Sequence, residues 1–300
     1  MATTESNDLV KIREEQYDRF RSRLGARVSN YTDFMRVRNR QGGPVLQISD
    51  FFGVTAYAAQ VDEPTPVALD SNVSTATVAP FEKLVTISEF QRDNNPEVIS
   101  ETVDMMADAG AATISDMAYD LVKALDTTAH PGAGAPYGAG EFYADTYTAP
   151  VVQSNLLTGA LSATTLATAI QRLHEYKNKA GLPAGIDTGP GALQLVVPPS
   201  LMQTGKDLTK RPSEVYDGSG LQPGAGYDSI GLTVMPEATD DNDWWLFQKT
   251  LRPVGIWIRK PPTIRISLAE KTGHIHIYAS LVAVGTLEPW EGGFVMSKVA

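Results

Sequence analysis

The most regular pattern of apolar positions in the chain runs from Ile99 to Leu125. Apolar residues, with one glycine among them, recur there every three or four positions, and no proline interrupts the run. This spacing is typical of an amphipathic helix. Asn95 is a favourable N-cap residue, and Pro96 suits the first helical position. We therefore predict a helix over residues 96–125, about 45 Å long at 1.5 Å per residue.

Alternating or continuous apolar runs predict several strands. Residues 83–88 alternate, whereas Leu193–Val197 and Trp244–Phe247 are apolar on both faces and should be covered on both sides. Longer alternating runs around Ile264 and Ile277 flank a Glu-Lys-Thr-Gly turn, which predicts a long hairpin with one apolar face. That face and the long helix each need a partner, and packing one on the other satisfies both.

The middle of the chain combines one further helix with two loops. A second amphipathic helix is predicted from about Thr164, with Ser162 as its N-cap and a glycine and a proline near 181–183 to end it. Stretches rich in glycine and other small or polar residues predict loops at 130–140 and 205–228. The predicted elements therefore mix helices and strands along the whole chain.

Two segments carry too few apolar residues to build a core of their own. Residues 11–40 hold nine basic against four acidic residues, and helical spacing from Leu9 to Leu24 predicts a short amphipathic arm. A solvated terminal helix is the alternative. Residues 45–78 combine short β-type runs with prolines, acidic residues and no Lys or Arg, which predicts an extended hairpin or loop. We expect both segments to be stabilised by a neighbouring subunit.

Composition narrows the classes of protein to consider. The 300 residues are 42% hydrophobic and 20% charged, which is typical of a globular chain of one large or two modest domains. The net charge of -10 opposes a role in coating nucleic acid or an anionic membrane. The absence of cysteine excludes disulfides, thiolate metal sites and cysteine nucleophiles. No apolar run reaches the roughly 18 residues of a membrane span, and the N-terminus does not have the pattern of a secretory signal.

Motifs that would carry catalysis are missing from the sequence. It contains neither a phosphate-binding loop nor a Gly-x-Ser-x-Gly motif. His274 and His276 could share a metal ion, but a third ligand is not evident and polar residues on the open face of a hairpin explain them better. The acidic residues at 240–243 are interpreted as a solvated turn, since the rest of a calcium loop is absent. We therefore predict no catalytic residues, no cofactor and no metal site.

The order of these elements resembles the major capsid protein of tailed bacteriophages, with the Hong Kong 97 fold. Residues 97–125 resemble the spine helix of that family, Phe51–Val78 its extended loop, and Arg252–Val284 the long strands of its peripheral domain. Leu193–Pro199 together with Trp244–Gln248 is similar to the Mu-like head subunits in particular.

The resemblance implies an α+β fold in which a long spine helix packs on antiparallel strands beside a mixed α/β axial domain. The expected parts are an N-terminal arm (1–45), an extended hairpin loop (46–82), a peripheral domain with the spine helix (83–149), an axial domain (150–250) and the return strands of the peripheral domain (251–300).

The resemblance also implies a function. It predicts a structural subunit that self-assembles into the pentamers and hexamers of an icosahedral phage head enclosing double-stranded DNA, bound without sequence specificity. The implied partners are other copies of the chain and scaffold, portal or decoration proteins, with no membrane, and assembly is expected in the host cytoplasm before the protein resides in the virion. The alternatives are an α+β enzyme of unknown chemistry or another component of a virion or compartment shell.

Charge complementarity predicts where neighbouring subunits meet. We expect the acidic hairpin of one subunit to contact either the basic arm of another or a basic band on its long strands. The residues predicted to form these contacts are Arg19, Arg21, Arg23, Arg27, Arg36, Arg38, Arg40, Asp62, Glu63, Asp70, Arg259, Lys260 and Arg265.

Overall fold

The computed structural model describes twelve stretches of the chain, and the structural statements below concern these stretches. They are residues 2–26, 30–39, 45–52, 70–95, 97–124, 155–177, 183–209, 230–238, 240–252, 254–269, 272–287 and 294–297. Residues 53–69 of the expected extended hairpin and the predicted loop at 130–140 lie outside the described residues.

The described residues form five α-helices and eleven strands. The helices are α1 (Ala2–Ala26), α2 (Glu89–Asn94), α3 (Val98–Ala124), α4 (Ala163–Glu175) and α5 (Met202–Thr209). The strands are β1 (Arg36–Asn39), β2 (Val45–Phe52), β3 (Asp70–Thr77), β4 (Ala79–Ile87), β5 (Leu156–Leu157), β6 (Leu193–Val197), β7 (Gly231–Val234), β8 (Trp244–Gln248), β9 (Val254–Leu268), β10 (Ile275–Leu287) and β11 (Phe294–Ser297). Short 3₁₀ helices occur at Asn30–Asp33 and Pro199–Leu201.

These strands form three sheets. A four-stranded sheet has the order β1-β9-β10-β4 and contains the predicted long hairpin, β9 and β10, in antiparallel pairing. A five-stranded sheet has the order β5-β11-β8-β6-β7. Strands β2 and β3 pair only with each other, antiparallel over eight residues each, which agrees with the extended hairpin expected from the sequence. The chain is therefore an α+β protein with a separate two-stranded ribbon.

Helix α3 is the predicted long helix, although it begins at Val98 and not at residue 96. The chain first makes the short helix α2, which we did not predict and which Ser88 starts with a capping box. Asn95 then has the role expected of it, because its side-chain oxygen accepts a hydrogen bond from the backbone N–H of Glu97 at 3.1 Å. At 27 residues, α3 is about 40 Å long.

Helix α3 lies across two separate hydrophobic cores. Its first half packs with α1 and the β9–β10 hairpin, and Val103 and Met106 are buried there. Its second half contributes Ala118 and Val122 to the larger core around the five-stranded sheet. The middle of the helix, at Gly110, faces Pro262 of β9. A single helix therefore spans both cores, and the larger core is shared by strands of the two sheets.

The segment at 30–39 lies inside the protein, which corrects part of the expectation for the N-terminal arm. Phe34 and Met35 are completely buried in the larger core. Strand β1 follows them directly and pairs in parallel with β9 in the four-stranded sheet. The expectation that the arm needs a neighbouring subunit is wrong for this segment, because its few apolar side chains all converge on the core of their own chain.

Two other segments differ from the expectations. The predicted loop at 205–228 begins within helix α5, where Gly205 is buried close to Leu232 of β7, and residues 210–229 lie outside the described residues. Strand β11 pairs with β8 and β5, so the range 251–300 divides between two sheets. Helix α4 agrees with the prediction, with Ser162 as its N-cap.

Candidate assembly surface

Helix α1 is held on the spine helix α3 by two matched ion pairs. Arg19 donates two hydrogen bonds to the carboxylate of Asp104, at 2.8 and 2.6 Å, and Arg23 donates two to Asp108, at 3.1 and 3.0 Å. Both pairs are spaced four residues apart on their helices, so the helices run in the same direction. Phe20, only 2% exposed, lies in the core between them.

This geometry shifts the pKa values of the first pair. Hydrogen bonds from the Arg19 guanidinium hold the pKa of Asp104 below its ordinary value, and the attraction between the opposite charges adds to the effect. The same hydrogen bonds raise the pKa of Arg19. Both groups therefore stay charged over the whole physiological range of pH.

Two more of the predicted contact residues are used within the chain. Arg36 donates to the backbone oxygen of Leu251 at 3.1 Å. The guanidinium of Arg38 lies over the ring of Trp257, 4.9 Å from its centroid, in a cation–π contact. Several positive charges of the basic arm therefore contact groups of their own chain and help to fix the position of the arm.

The remaining predicted contact residues fall into three groups. Arg21, Arg259 and Arg265 are exposed, and Lys260 donates from Nζ to the hydroxyl of Ser280 at 2.6 Å. Asp70 is the first residue of β3 in the two-stranded ribbon. The predicted contact residues that lie outside the described part of the chain are Arg27, Arg40, Asp62 and Glu63.

The outer face of the four-stranded sheet carries an exposed polar cluster around Tyr278. This residue lies opposite Leu84 of β4 and Arg265 of β9. A hydrogen bond with Glu82 raises the pKa of the Tyr278 hydroxyl, and the nearby positive charge of Arg265 opposes that shift. Leu84 is 59% exposed in the middle of these groups. The face thus offers charges of both signs beside an apolar side chain.

Exposed apolar side chains are the features that the sequence analysis missed. Leu84, Met105 and Phe90 are large and largely exposed, with Phe90 at 77%. Two hollows of about 470 and 480 Å³ lie beside α3, and Phe81 of the edge strand β4 lines both. Periodicity assigns such residues to a core, and only the packed structure shows which of them remain uncovered.

The histidines and carboxylates considered as ligands are dispersed. His276 hydrogen-bonds to the hydroxyl of Thr86, and His174 to that of Thr188. Within the described residues, no three His, Asp or Glu side chains come together in a group that could hold a metal ion. None of the described helices is both long enough and apolar enough to cross a membrane.

Comparison with known proteins gives one sequence family and many similar structures. The model of a family described as "Phage capsid protein" matches residues 72–292. No curated protein sequence matches the chain. The solved structures include the mature capsid of bacteriophage PhiM1, at 11% identity and a TM-score of 0.59, covering 91% of this chain and 88% of that one.

Two further capsid or particle proteins share the architecture. The capsid of Ralstonia phage GP4 matches at 9% identity and a TM-score of 0.56, covering 89% of this chain and 87% of the other. A virus-like particle from Pyrococcus furiosus matches at 11% identity and a TM-score of 0.53, with 95% and 98% covered. These likenesses confirm the Hong Kong 97-type fold, and the narrower similarity to Mu-like head subunits stays a prediction.

Proposed function

Because this chain belongs to the phage capsid protein family, we propose that its copies assemble as pentamers and hexamers into a closed icosahedral head around double-stranded DNA. Membership of the family makes the chain a structural subunit of a phage shell, located in the virion. The arrangement of the copies, the enclosed DNA and the absence of enzymatic activity are the parts that we propose.

The two-stranded ribbon of β2 and β3 is the observation that best supports assembly of this kind. It forms a sheet of its own in which neither strand pairs with the larger sheets, and β3 continues through Val78 into β4 at the edge of the four-stranded sheet. An isolated two-stranded hairpin is marginally stable in water, so a surface supplied by a neighbouring copy would stabilise it.

The net charge of the chain supports a shell that encloses DNA without binding it tightly. At -10 the chain repels the phosphate backbone on average, and sequence-specific readers of DNA are usually basic. We propose that the packaged DNA is confined by the shell without specific binding. Scaffold, portal or decoration proteins and assembly in the host cytoplasm complete this proposal.

We further propose that the acidic ribbon of one copy meets the basic band of another. In the band, Arg259 and Arg265 remain exposed. Asp70 begins β3 of the ribbon, and Asp62 and Glu63 belong to the acidic sequence that connects β2 with β3. Arg19, Arg23, Arg36 and Arg38 contribute less than the sequence suggested, since each already contacts a group in its own chain.

Electron microscopy of the purified protein tests this function. We expect closed shells of uniform diameter in negative stain, with fivefold and sixfold clusters of subunits visible after averaging. Dispersed monomers at high protein concentration, or open tubes alone, would contradict the proposal. Co-expression with an assembly partner is a required second arm, because some shells close only with a scaffold.

A further inference from the structure

The turn that follows β8 joins the two large sheets. Strand β8 ends at Gln248 in the five-stranded sheet, and β9 begins at Val254 in the four-stranded sheet. The chain passes between these sheets in two other places, after α3 and after β10, and both passages lie outside the described residues. Of the three passages, this turn is the one that the structure describes at every residue but 253.

One residue of this turn has an unusual backbone conformation. Among the described residues other than glycine, Arg252 alone has a positive φ, at +42°. This left-handed region crowds the Cβ atom of an ordinary residue and favours glycine or asparagine. Such conformations persist only where the surrounding structure enforces them, and they concentrate at functional positions.

Hydrogen bonds to a buried side chain and to the residue that precedes β6 of the five-stranded sheet stabilise the turn after β8. The side-chain oxygen of Gln248, which is only 3% exposed, accepts from the backbone N–H groups of Thr250 and Leu251, both at 2.7 Å. The backbone N–H of Lys249 donates to the backbone oxygen of Ala192 at 2.9 Å. The turn is thereby fixed to the five-stranded sheet.

Two arginines fix the same turn to the segment that enters the four-stranded sheet. Arg252 donates from Nε to the backbone oxygen of Lys249 at 2.8 Å and from Nη1 to that of Met35 at 3.5 Å. Arg36, the first residue of β1, donates in the opposite direction to the backbone oxygen of Leu251 at 3.1 Å. We call these two crossing bonds, Arg252 to Met35 and Arg36 to Leu251, the arginine clasp.

We propose that Arg252 is a positioning residue that sets the angle between the two sheets, and through that angle the curvature of the shell. The inference rests on the proposed function, because curvature has meaning only for an assembly. A glycine would adopt the left-handed turn without crowding but could not form the clasp. The choice of arginine therefore points to the crossing bonds and not to the turn alone.

The mechanism is that of a stiffened hinge. Hinges are a few residues between packed elements that absorb changes of φ and ψ. With the clasp intact, the turn restricts the angle between the two sheets to a narrow range. Without the clasp, the same turn permits a wider range of this angle, and the angles between neighbouring subunits become less uniform.

The test compares shells made by the wild type and by Arg252→Gly. The variant keeps the left-handed turn and the bond from Arg36 to Leu251, but it loses both bonds that the Arg252 side chain donates, to Lys249 and to Met35. We therefore expect folded protein whose shells have a wider distribution of diameters, on the order of twofold. Arg252→Lys keeps the charge and one donor group and should lie between the two. Arg92→Gln, at a half-buried surface position of α2 where the arginine pairs only with neighbours in its own helix, is the control and should leave the diameters unchanged.

The outcomes separate this inference from the proposed function. Uniform wild-type shells together with equally uniform Arg252→Gly shells overturn the role of Arg252 alone. A wild type that forms no shells, with or without an assembly partner, overturns both. If Arg252→Gly fails to fold, Arg252→Lys and Arg252→Asn take its place. Loss of folding in all three would show a role in stability only and would also overturn the inference.

Discussion

The ring of Phe34 stacks on the ring of Phe247, with centroids 5.1 Å apart and an angle of 23° between the planes. Phe247 belongs to the central region of the five-stranded sheet, whereas Phe34 lies immediately before β1 of the four-stranded sheet. Both side chains are completely buried. Together with the hydrogen bond from Thr233 to Asp33 at 2.9 Å, this stack makes the N-terminal segment part of the connection between the sheets.

Replacing Phe34 by alanine should destabilise the folded subunit strongly. Removal of a fully buried phenylalanine leaves a cavity and typically costs about 3–5 kcal/mol. Denaturant unfolding followed by fluorescence and circular dichroism measures the change. Phe90→Ala is the matched control, because Phe90 is 77% exposed and its loss should cost less than about 0.5 kcal/mol. Equal effects of the two substitutions would show that the N-terminal segment is not part of the core.

Docking of α1 on α3 should weaken in acid. The pKa of Asp104 in the folded protein lies below the ordinary value of 3.8. The stabilisation from its pairing with Arg19 is therefore complete above that ordinary value and is lost as the pH falls through the lowered pKa. After correction for the slower intrinsic exchange of amides in acid, residues 13–25 should lose protection against hydrogen exchange below pH 3.8 before the central sheets open.

Asp104→Asn provides the matching variant for this pH dependence. It should give faster exchange in α1 already at neutral pH and should flatten the response to acid. Asp116→Asn, at an exposed position further along the same helix, should behave as the wild type. An unchanged exchange rate of α1 in Asp104→Asn would contradict the importance of the ion pair.

Alanine at position 110 should stabilise the subunit. A Cβ atom placed on Gly110 would lie 3.5 Å from the Cβ atom of Pro262, which is ordinary van der Waals contact. Glycine inside a helix is less favourable than alanine by about 0.5–1 kcal/mol, so Gly110→Ala should gain roughly that amount. Thermal unfolding measures the change.

The same substitution in α5 is the control for Gly110→Ala. A Cβ atom on Gly205 would come within 2.8 Å of Leu232, so Gly205→Ala should gain less or lose stability. Equal gains at both positions would show that helix propensity decides the outcome without any influence from packing. A loss of stability in Gly110→Ala would contradict the open space beside Pro262.

Reversing the charge of the basic band should slow assembly. The double substitution Arg259→Glu and Arg265→Glu removes the proposed attraction for the acidic ribbon, and we expect the rate of assembly at low salt to fall roughly tenfold. Light scattering follows the rate. Arg92→Glu adds negative charge elsewhere on the surface and should have a much smaller effect.

A compensating change identifies the ribbon as the partner of the band. Adding Asp62→Arg and Glu63→Arg to the reversed band should restore much of the rate. Failure of this rescue, with the individual subunits still folded, would place the partner of the band somewhere else. High salt should reduce the difference between all these variants, because ions screen exposed charges.

Local patterns were sufficient to predict the elements with strong periodicity or clear end signals. Helix α3, helix α4 with its cap at Ser162, and the β9–β10 hairpin all follow from the positions of apolar residues along the chain. Helix α2 was missed because six residues are too short for a periodic pattern to be visible. The start of α5 was missed because Gly205 and its polar neighbours are typical of a loop.

Local sequence patterns could not predict which distant residues contact each other in the folded chain. Sequence showed that Arg19, Arg23 and Arg36 carry charge, but it could not show that Asp104, Asp108 and a backbone oxygen of Leu251 satisfy them. These contacts join positions 85 or more residues apart. The contacts of these arginines with other subunits stay a prediction, to which the structure adds their partners within the chain.

The class of fold, the long spine helix, the hairpin that packs on it and the ribbon without a core could be predicted from the sequence, because each depends on spacing and composition within one segment. The position of residues 30–39 between two sheets became visible only in the folded chain, and so did the left-handed turn of Arg252 that Gln248 and Arg36 hold. The physical reason is that burial and hydrogen bonding are satisfied between distant segments, and no local pattern records which distant group will be the partner.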